Sequence, residues 1–190
     1  MKKTLSLIFL AACTVICSCD KEPEYPAQPD WSQYPDPSEA QDDGLKKPEA
    51  APFNIVAHRG GSSECDKPDN SVEALEYAMQ QRCYASECDI YWTKDNNVVI
   101  AHADDECMIN GLHPWEATLS ELRAAGKLSN GEDLPCLEDF LDIVMTTGSC
   151  TRLWLDIKNI NKPSTLTQYP INAAKRACEI ITEKGAKHFV

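Results

Sequence analysis

From Phe53 onward, short apolar runs alternate with amphipathic segments. Phe53 to Ala57 is brief and mostly apolar, the pattern of a buried strand. A glycine-rich polar loop follows. Asn70-Ser71-Val72-Glu73 reads as a capping box, with Asn70 as N-cap and Glu73 at N3. It predicts a helix to about Gln81 with Val72, Leu75, Ala78 and Met79 on one side. Ala85 to Trp92 alternates as a strand, Asp95-Asn96-Asn97 is turn chemistry, and Val98 to Ala101 is a second short strand ending at His102. Leu137, Phe140, Leu141 and Val144 recur at helical spacing. Arg152 to Lys158 alternates again. Ile171, Ala174, Cys178 and Ile181 mark a further helix, with Gly185 as the residue that ends it. Lys187 to Val190 reads as the start of another strand. Strand and helix in turn predict a parallel α/β fold, and no repeat at a solenoid period is present.

The first part of the chain follows other rules. Met1-Lys2-Lys3 and the apolar run from Thr4 to Ile16 are too short for a membrane span, which needs roughly 20 residues, and suit a secretory signal. The run ends in small residues and cysteines and resembles a bacterial lipoprotein signal. Leu10-Ala11-Ala12-Cys13 fits the usual lipobox better, whereas Ile16-Cys17-Ser18-Cys19 leaves a signal of more normal length. Asp20-Lys21-Glu22 behind Cys19 resembles the acidic export signals of some Gram-negative surface lipoproteins. Cys19 is therefore the expected lipidation site, Cys13 is the runner-up, and residues 1–18 are the signal peptide. A cleaved soluble protein is the alternative. Residues 19–52 form an expected tether. Between Asp20 and Pro52 lie seven of the twelve prolines, nine acidic side chains and three lysines, with no apolar periodicity. Such a segment buries too little surface to offset its ordering entropy, and proline and like charge extend it to ~100 Å at ~3.1 Å per residue.

Composition narrows the function. The 190 residues carry a formal net charge of −12 and no basic stripe, so nucleic acid is not expected as a partner. No feature of the chain points to a protein partner. Seven cysteines follow Cys19, an odd number that leaves at least one unpaired within the chain. Export permits disulfides, and no Cys-x-x-Cys zinc spacing occurs. Cys88 points away from its acidic neighbours and reads as a small buried hydrophobe.

The chemistry sits at strand ends. His58-Arg59-Gly60 follows the first strand. Glu87 and Asp89 are two apart on a strand and share a face, where they could hold one hard divalent cation. His102 ends the next strand, and Asp156 and Lys158 are again two apart. Three carboxylates, two histidines and two cationic side chains suit phosphodiester cleavage, in which positive charge neutralises phosphoryl oxygens and the histidines move protons. His113, Trp115 and His188 read as structural.

These motifs resemble the glycerophosphodiester phosphodiesterase family. IVAHRGGS matches its opening motif, Pro68-Asp69-Asn70-Ser71 stands for Pro-Glu-Asn-Thr, and ECDIYWTKDNNVVIAH matches its Glu-x-Asp strand and second histidine. LPCLEDFLDIV matches the helix after its insertion, and LWLDIKN the strand that usually carries Glu-x-Lys. The resemblance implies a (β/α)8 TIM-type barrel. Such a barrel needs ~250 residues, so residues 53–190 are expected to be its N-terminal part, cut within the fourth strand.

By position, the resemblance implies one divalent ion, Ca²⁺ or Mg²⁺, on Glu87, Asp89 and Asp156. It implies His58 as base and His102 as acid, Arg59 and Lys158 on the phosphate, and Asp69 and Asn70 as supporting groups. The implied reaction is hydrolysis of a glycerophosphodiester to sn-glycerol 3-phosphate and an alcohol, carried out at the outer membrane through the lipid anchor. The expected orientation is surface-exposed, with a periplasm-facing one as the alternative. Asp69 and Asp156 replace a family Glu, and His102-Ala103 replaces His-Asp, which bears on substrate and metal preference more than on reaction class. Two other functions compete. One is a phospholipase C or sphingomyelinase D-like enzyme acting on intact lipid. The other is a non-catalytic, surface-anchored binding protein.

Overall fold

The computed structural model of the protein describes residues 42–160 and 166–190. The signal, both lipidation candidates and most of the tether lie outside the described residues. Among those described, no helix is long and apolar enough to cross a membrane.

Four strands form one sheet: β1 (Val56–Ala57), β2 (Ala85–Trp92), β3 (Val98–Ile100) and β4 (Arg152–Ile157). β1 and β4 run parallel to β2 on its opposite edges. β3 runs antiparallel and takes the edge of β2 beyond the point where β1 stops. The helices are α1 (Ser62–Cys65), α2 (Val72–Gln80), α3 (Leu119–Ala125), α4 (Leu137–Val144) and α5 (Tyr169–Glu183).

Side chains alternate across β2. Cys88 and Ile90 join Leu75 of α2, the four apolar positions of α4 and Ile180 of α5 in the main core. Each such large side chain contributes about 1.5–3 kcal/mol on burial. Glu87, Asp89 and Tyr91 face the other way. A second core gathers Tyr91, Val99, Leu122, Leu134 and Tyr169. His113 stacks on Trp115 (4.3 Å between ring centroids), and Trp115 meets Tyr169 edge-on, a packing role for both.

Several expectations need correction. The first strand is only two residues long, and Phe53, Ile55 and Val56 are exposed, because among the described residues nothing covers that side of β1. Ser71 is the N-cap of α2, accepting from Ala74 N–H (3.0 Å). Asn70 is not the cap, since it lies in the left-handed region (φ 59) and its side chain turns to Asp89. α5 buries Tyr169, Ala173, Ala177 and Ile180 rather than the stripe through Ile171 and Cys178. Lys187 to Val190 form no strand; Phe189 C=O merely accepts from Leu153 N–H (2.7 Å). α1 and α3 add to the predicted elements, and Thr118 and Glu121 make a capping box for α3.

Residues 42–52, given to the tether on composition, run along the folded part. Glu49 N–H donates to Ser149 C=O (2.8 Å), and Lys46 Nζ to Met145 C=O (3.3 Å). Asp43 pairs with Lys187 and with His188 Nε2 (2.9 Å). The charges that suggested a solvated spacer are partly used in these contacts.

Candidate active site

The site lies at the carboxyl ends of β1 and β4, level with the middle of β2. His58, Arg59 and Gly60 form one tight turn directly after β1. Gly60 has φ +84, and a Cβ there would lie 2.6 Å from Ala74 Cβ and 2.7 Å from Ala74 C. Only glycine lets this turn press so closely on α2.

Period-two alternation puts Glu87 and Asp89 on one face of β2. The parallel register then sets Asp156 of β4 directly opposite Asp89. Carboxylate oxygens of Glu87, Asp89 and Asp156 all lie within 4.8 Å of one another. Asp89 is almost fully buried, Glu87 mostly so, and Asp156 about half exposed. Asn70 locks Asp89 from two sides. Its Nδ2 donates to Asp89 Oδ2 (2.8 Å), and its Oδ1 accepts from Asp89 N–H (3.1 Å).

Two cations offset this charge. Lys158 Nζ contacts Asp89 Oδ1 and donates to Asp156 Oδ2 (2.5 Å). Burial pulls its pKa down, but the hydrogen bonds to Asp156 and Asp89 outweigh that and hold it above the ordinary lysine value. Arg59 N–H donates to Glu87 Oε2 (2.9 Å), its guanidinium to Asp69 Oδ2 (2.6 Å), and its Nε lies 3.2 Å from Asp89 Oδ2. Burial likewise opposes the Arg59 charge and is outweighed by Asp69 and Asp89. Asp69 is desolvated, yet the Ser62 hydroxyl and Arg59 carry its carboxyl below the usual range.

Four carboxylates face two cations here, an excess of two negative charges. Asp89 Oδ1 is met by the Lys158 ammonium, and Arg59 Nε by Asp89 Oδ2 (3.2 Å), each contact an ion pair outside good hydrogen-bond alignment. An oxygen-rich donor set with two negative charges in excess fits a hard divalent cation. Arg59 and Lys158 beside it are the cationic groups that fit an anion.

The histidines flank this centre. His58 is largely exposed, with Nε2 3.9 Å from Glu87 Oε2. His102 is exposed after β3, whose course is tied to the site by Ala101 N–H donating to Asp89 C=O (3.1 Å). His102 and Asp69 line one cavity of about 570 Å³, together with Met108, Ile109 and Leu134.

This arrangement agrees with a known family. Residues 58–185 match the glycerophosphoryl diester phosphodiesterase family. The chain belongs to this family. It is 36% identical over 106 residues to human lysophospholipase D GDPD3, 55% of this chain and 30% of that protein. The crystal structure of a glycerophosphodiester phosphodiesterase from Parabacteroides distasonis aligns with a TM-score of 0.60 and 29% identity, over 74% of this chain and 56% of that chain. An Oleispira antarctica phosphodiesterase solved with the product sn-glycerol-3-phosphate shares the fold (TM-score 0.52, 21% identity), over 74% of this chain and 53% of that chain. The chain thus spans about half of these solved relatives and under a third of the human one. It carries part of the family's TIM-type barrel, as its strand–helix alternation implies.

Three supporting residues escape a reading of the sequence. Tyr91 continues the face of Glu87 and Asp89, and the period-two pattern carries that signal. Ser62 holds Asp69. Glu132 caps α2 from sixty positions away, accepting from Val72 N–H (2.8 Å) and Glu73 N–H (3.1 Å), and nothing local announces it.

Proposed function

We propose that the chain supplies the metal- and phosphate-binding part of an enzyme that hydrolyses glycerophosphodiesters to sn-glycerol 3-phosphate and an alcohol. The observation that carries this reading is the convergence of Glu87, Asp89 and Asp156 between Arg59 and Lys158, three carboxylates against two cations. Glu87, Asp89 and Asp156 would hold one divalent ion, Ca²⁺ or Mg²⁺. When bound, that ion supplies positive charge at the phosphoryl oxygens.

The chain's own residues do the rest. Arg59 and Lys158 hold the non-bridging oxygens, and both stay protonated because their carboxylate partners outweigh burial. His58 acts as base toward the attacking hydroxyl, and His102 returns a proton to the leaving alcohol across the Asp69-lined cavity. Asp69 and Asn70 steer Arg59 and Asp89. The product named for the Oleispira relative supports this substrate class. The name of the human relative favours a second reading, in which the diester still carries one acyl chain.

A release assay on the full-length protein separates them. Metal-dependent formation of glycerol 3-phosphate from glycerophosphocholine supports the first reading. Turnover of lysophosphatidylcholine alone supports the second, and turnover of intact phospholipid alone the phospholipase alternative. No metal-dependent turnover of any of these leaves a binding protein.

We further propose that the protein is an exported lipoprotein, anchored through Cys19 at the outer membrane and exposed on the cell surface. Cys19→Ala should abolish incorporation of labelled acyl chains while Cys13→Ala retains it. The reverse pattern moves the anchor to Cys13.

A further inference from the structure

Cys83 and Cys150 stand just ahead of two neighbouring parallel strands. β2 and β4 pair with Ala85 opposite Arg152, and Arg152 N–H donates to Tyr84 C=O (3.0 Å). The same register, followed back two residues, sets Cys83 across from Cys150. Thr151 Oγ1 fastens the two segments by donating to Cys83 C=O (2.8 Å). Adjacent strands lie about 4.8 Å apart, inside the Cα separations of roughly 4.4–6.8 Å that disulfides span. Both cysteines are buried. Both are free thiols in this structure; burial first, and then the neighbouring Cys150, raise the Cys83 thiol above its ordinary value.

Among the described residues, Cys88, Cys136 and Cys178 offer no such match. Cys88 lies opposite Leu155 in the register. The Cys136 thiol donates to Asp139 Oδ2 (3.1 Å), and Cys178 is exposed on α5.

We propose that Cys83 and Cys150 form a disulfide when the chain folds in an oxidising compartment, fastening β2 to β4 beneath the metal-binding carboxylates. The oxidant is an external disulfide, that of a disulfide-bearing oxidoreductase. One cysteine, as thiolate, attacks a sulfur of that disulfide and expels a thiolate, forming a mixed disulfide. The second cysteine attacks the mixed disulfide, forms the internal S–S bond and releases the other thiol. Two thiol protons leave Cys83 and Cys150, and two electrons pass to the oxidant, which ends as a dithiol.

The bond would serve the site through register. Asp89 and Asp156 meet only because β4 pairs with β2 as it does, and a slip of one residue would send Asp156 to the opposite face. A covalent link at the start of both strands prevents that slip. This inference stands apart from the catalytic reading, since it rests on strand pairing alone.

Peptide mapping tests it. The protein is secreted into the periplasm of a bacterial host, alkylated, and digested without reduction by trypsin and a glutamate-specific protease. Cuts after Arg82, Glu87, Glu138 and Arg152 separate Cys83 from Cys88 and Cys150 from Cys136. The expected product joins peptides 83–87 and 139–152 and is two hydrogens lighter than the reduced pair. Oxidised wild type should melt about 5–10 °C above the reduced form, and Cys83→Ser or Cys150→Ser should abolish that difference. Recovery of Cys83 and Cys150 as alkylated thiols, or joined to other cysteines, overturns the proposal, and this mapping needs no variant to fold.

Discussion

Replacing Asn70 with glycine tests how much the site depends on one buried side chain. Asn70 is 1% exposed and has φ 59. Its amide donates to the Asp89 carboxylate and accepts from the Asp89 N–H. Losing a donor to an ionised carboxylate costs about 1.5–3 kcal/mol, and leaving the buried Asp89 N–H unpaired costs about 1–3 kcal/mol. The two overlap, so Asn70→Gly should destabilise by about 3 kcal/mol, a large part of a typical ~5–15 kcal/mol total. Asn70→Ala should lose about 1 kcal/mol more, because alanine strains where glycine does not. Asp89 would also be free to turn, which should weaken metal binding ~10–100-fold. Urea unfolding without metal gives the stability difference, and calorimetric titration with Ca²⁺ and Mg²⁺ gives the affinity. Asn70→Gly within ~0.5 kcal/mol of wild type, with metal affinity within about twofold, would refute the reasoning. Equal stability of the Ala and Gly variants would refute its backbone part.

Asp156→Asn should weaken metal activation at least ~10-fold by removing a charged ligand, while Asp156→Glu keeps activity and moves preference toward Mg²⁺, whose shorter ~2.0–2.1 Å bonds need the longer reach. Unchanged metal dependence in Asp156→Asn means the third ligand lies elsewhere. His58→Ala and His102→Ala should each lower kcat by ~10² or more, and glycerol 3-phosphate release within about threefold of wild type in either one rejects its acid–base role. Gly60→Ala should cost at least ~2 kcal/mol more than Gly61→Ala in urea unfolding. An added Cβ at Gly60 meets the Ala74 backbone at 2.7 Å, whereas one at Gly61 meets the Tyr77 ring at 3.4 Å. Under reducing conditions near pH 8, iodoacetamide should label Cys178 first and spare Cys136, whose thiol burial and then Asp139 push up to about 12. Mass spectrometry over a time course shows the order, and early loss of Cys136 would contradict its packing.

Much of the site is legible in local pattern. A strand's period of two is a property of the backbone, so Glu87 and Asp89 share a face whatever surrounds them. α4 shows its buried face because Leu137, Phe140, Leu141 and Val144 are its only large apolar stripe. α5 does not, because it carries two apolar stripes one step apart. Packing chooses the one with small Ala173 and Ala177, which admits close approach to the sheet, and leaves Ile171 exposed. Its neighbours Ala174, Cys178 and Ile181 line an apolar groove beside Trp154.

Asn70 divides the two kinds of knowledge most clearly. Locally it looks like a helix cap, since short polar side chains cap helices for reasons internal to four or five residues. Only the folded chain brings Asp89 to it, and a buried carboxylate needs that amide more than the helix does, because Ser71 and the distant Glu132 already satisfy the first N–H groups of α2. Residue types and their local spacing thus determined which chemistry the chain carries and on which strands. The register of β4 on β2 decided that Asp156 meets Asp89, and the approach of Gly60 to α2 decided where Arg59 points. Both depend on contacts between segments far apart in sequence, and no local pattern records them.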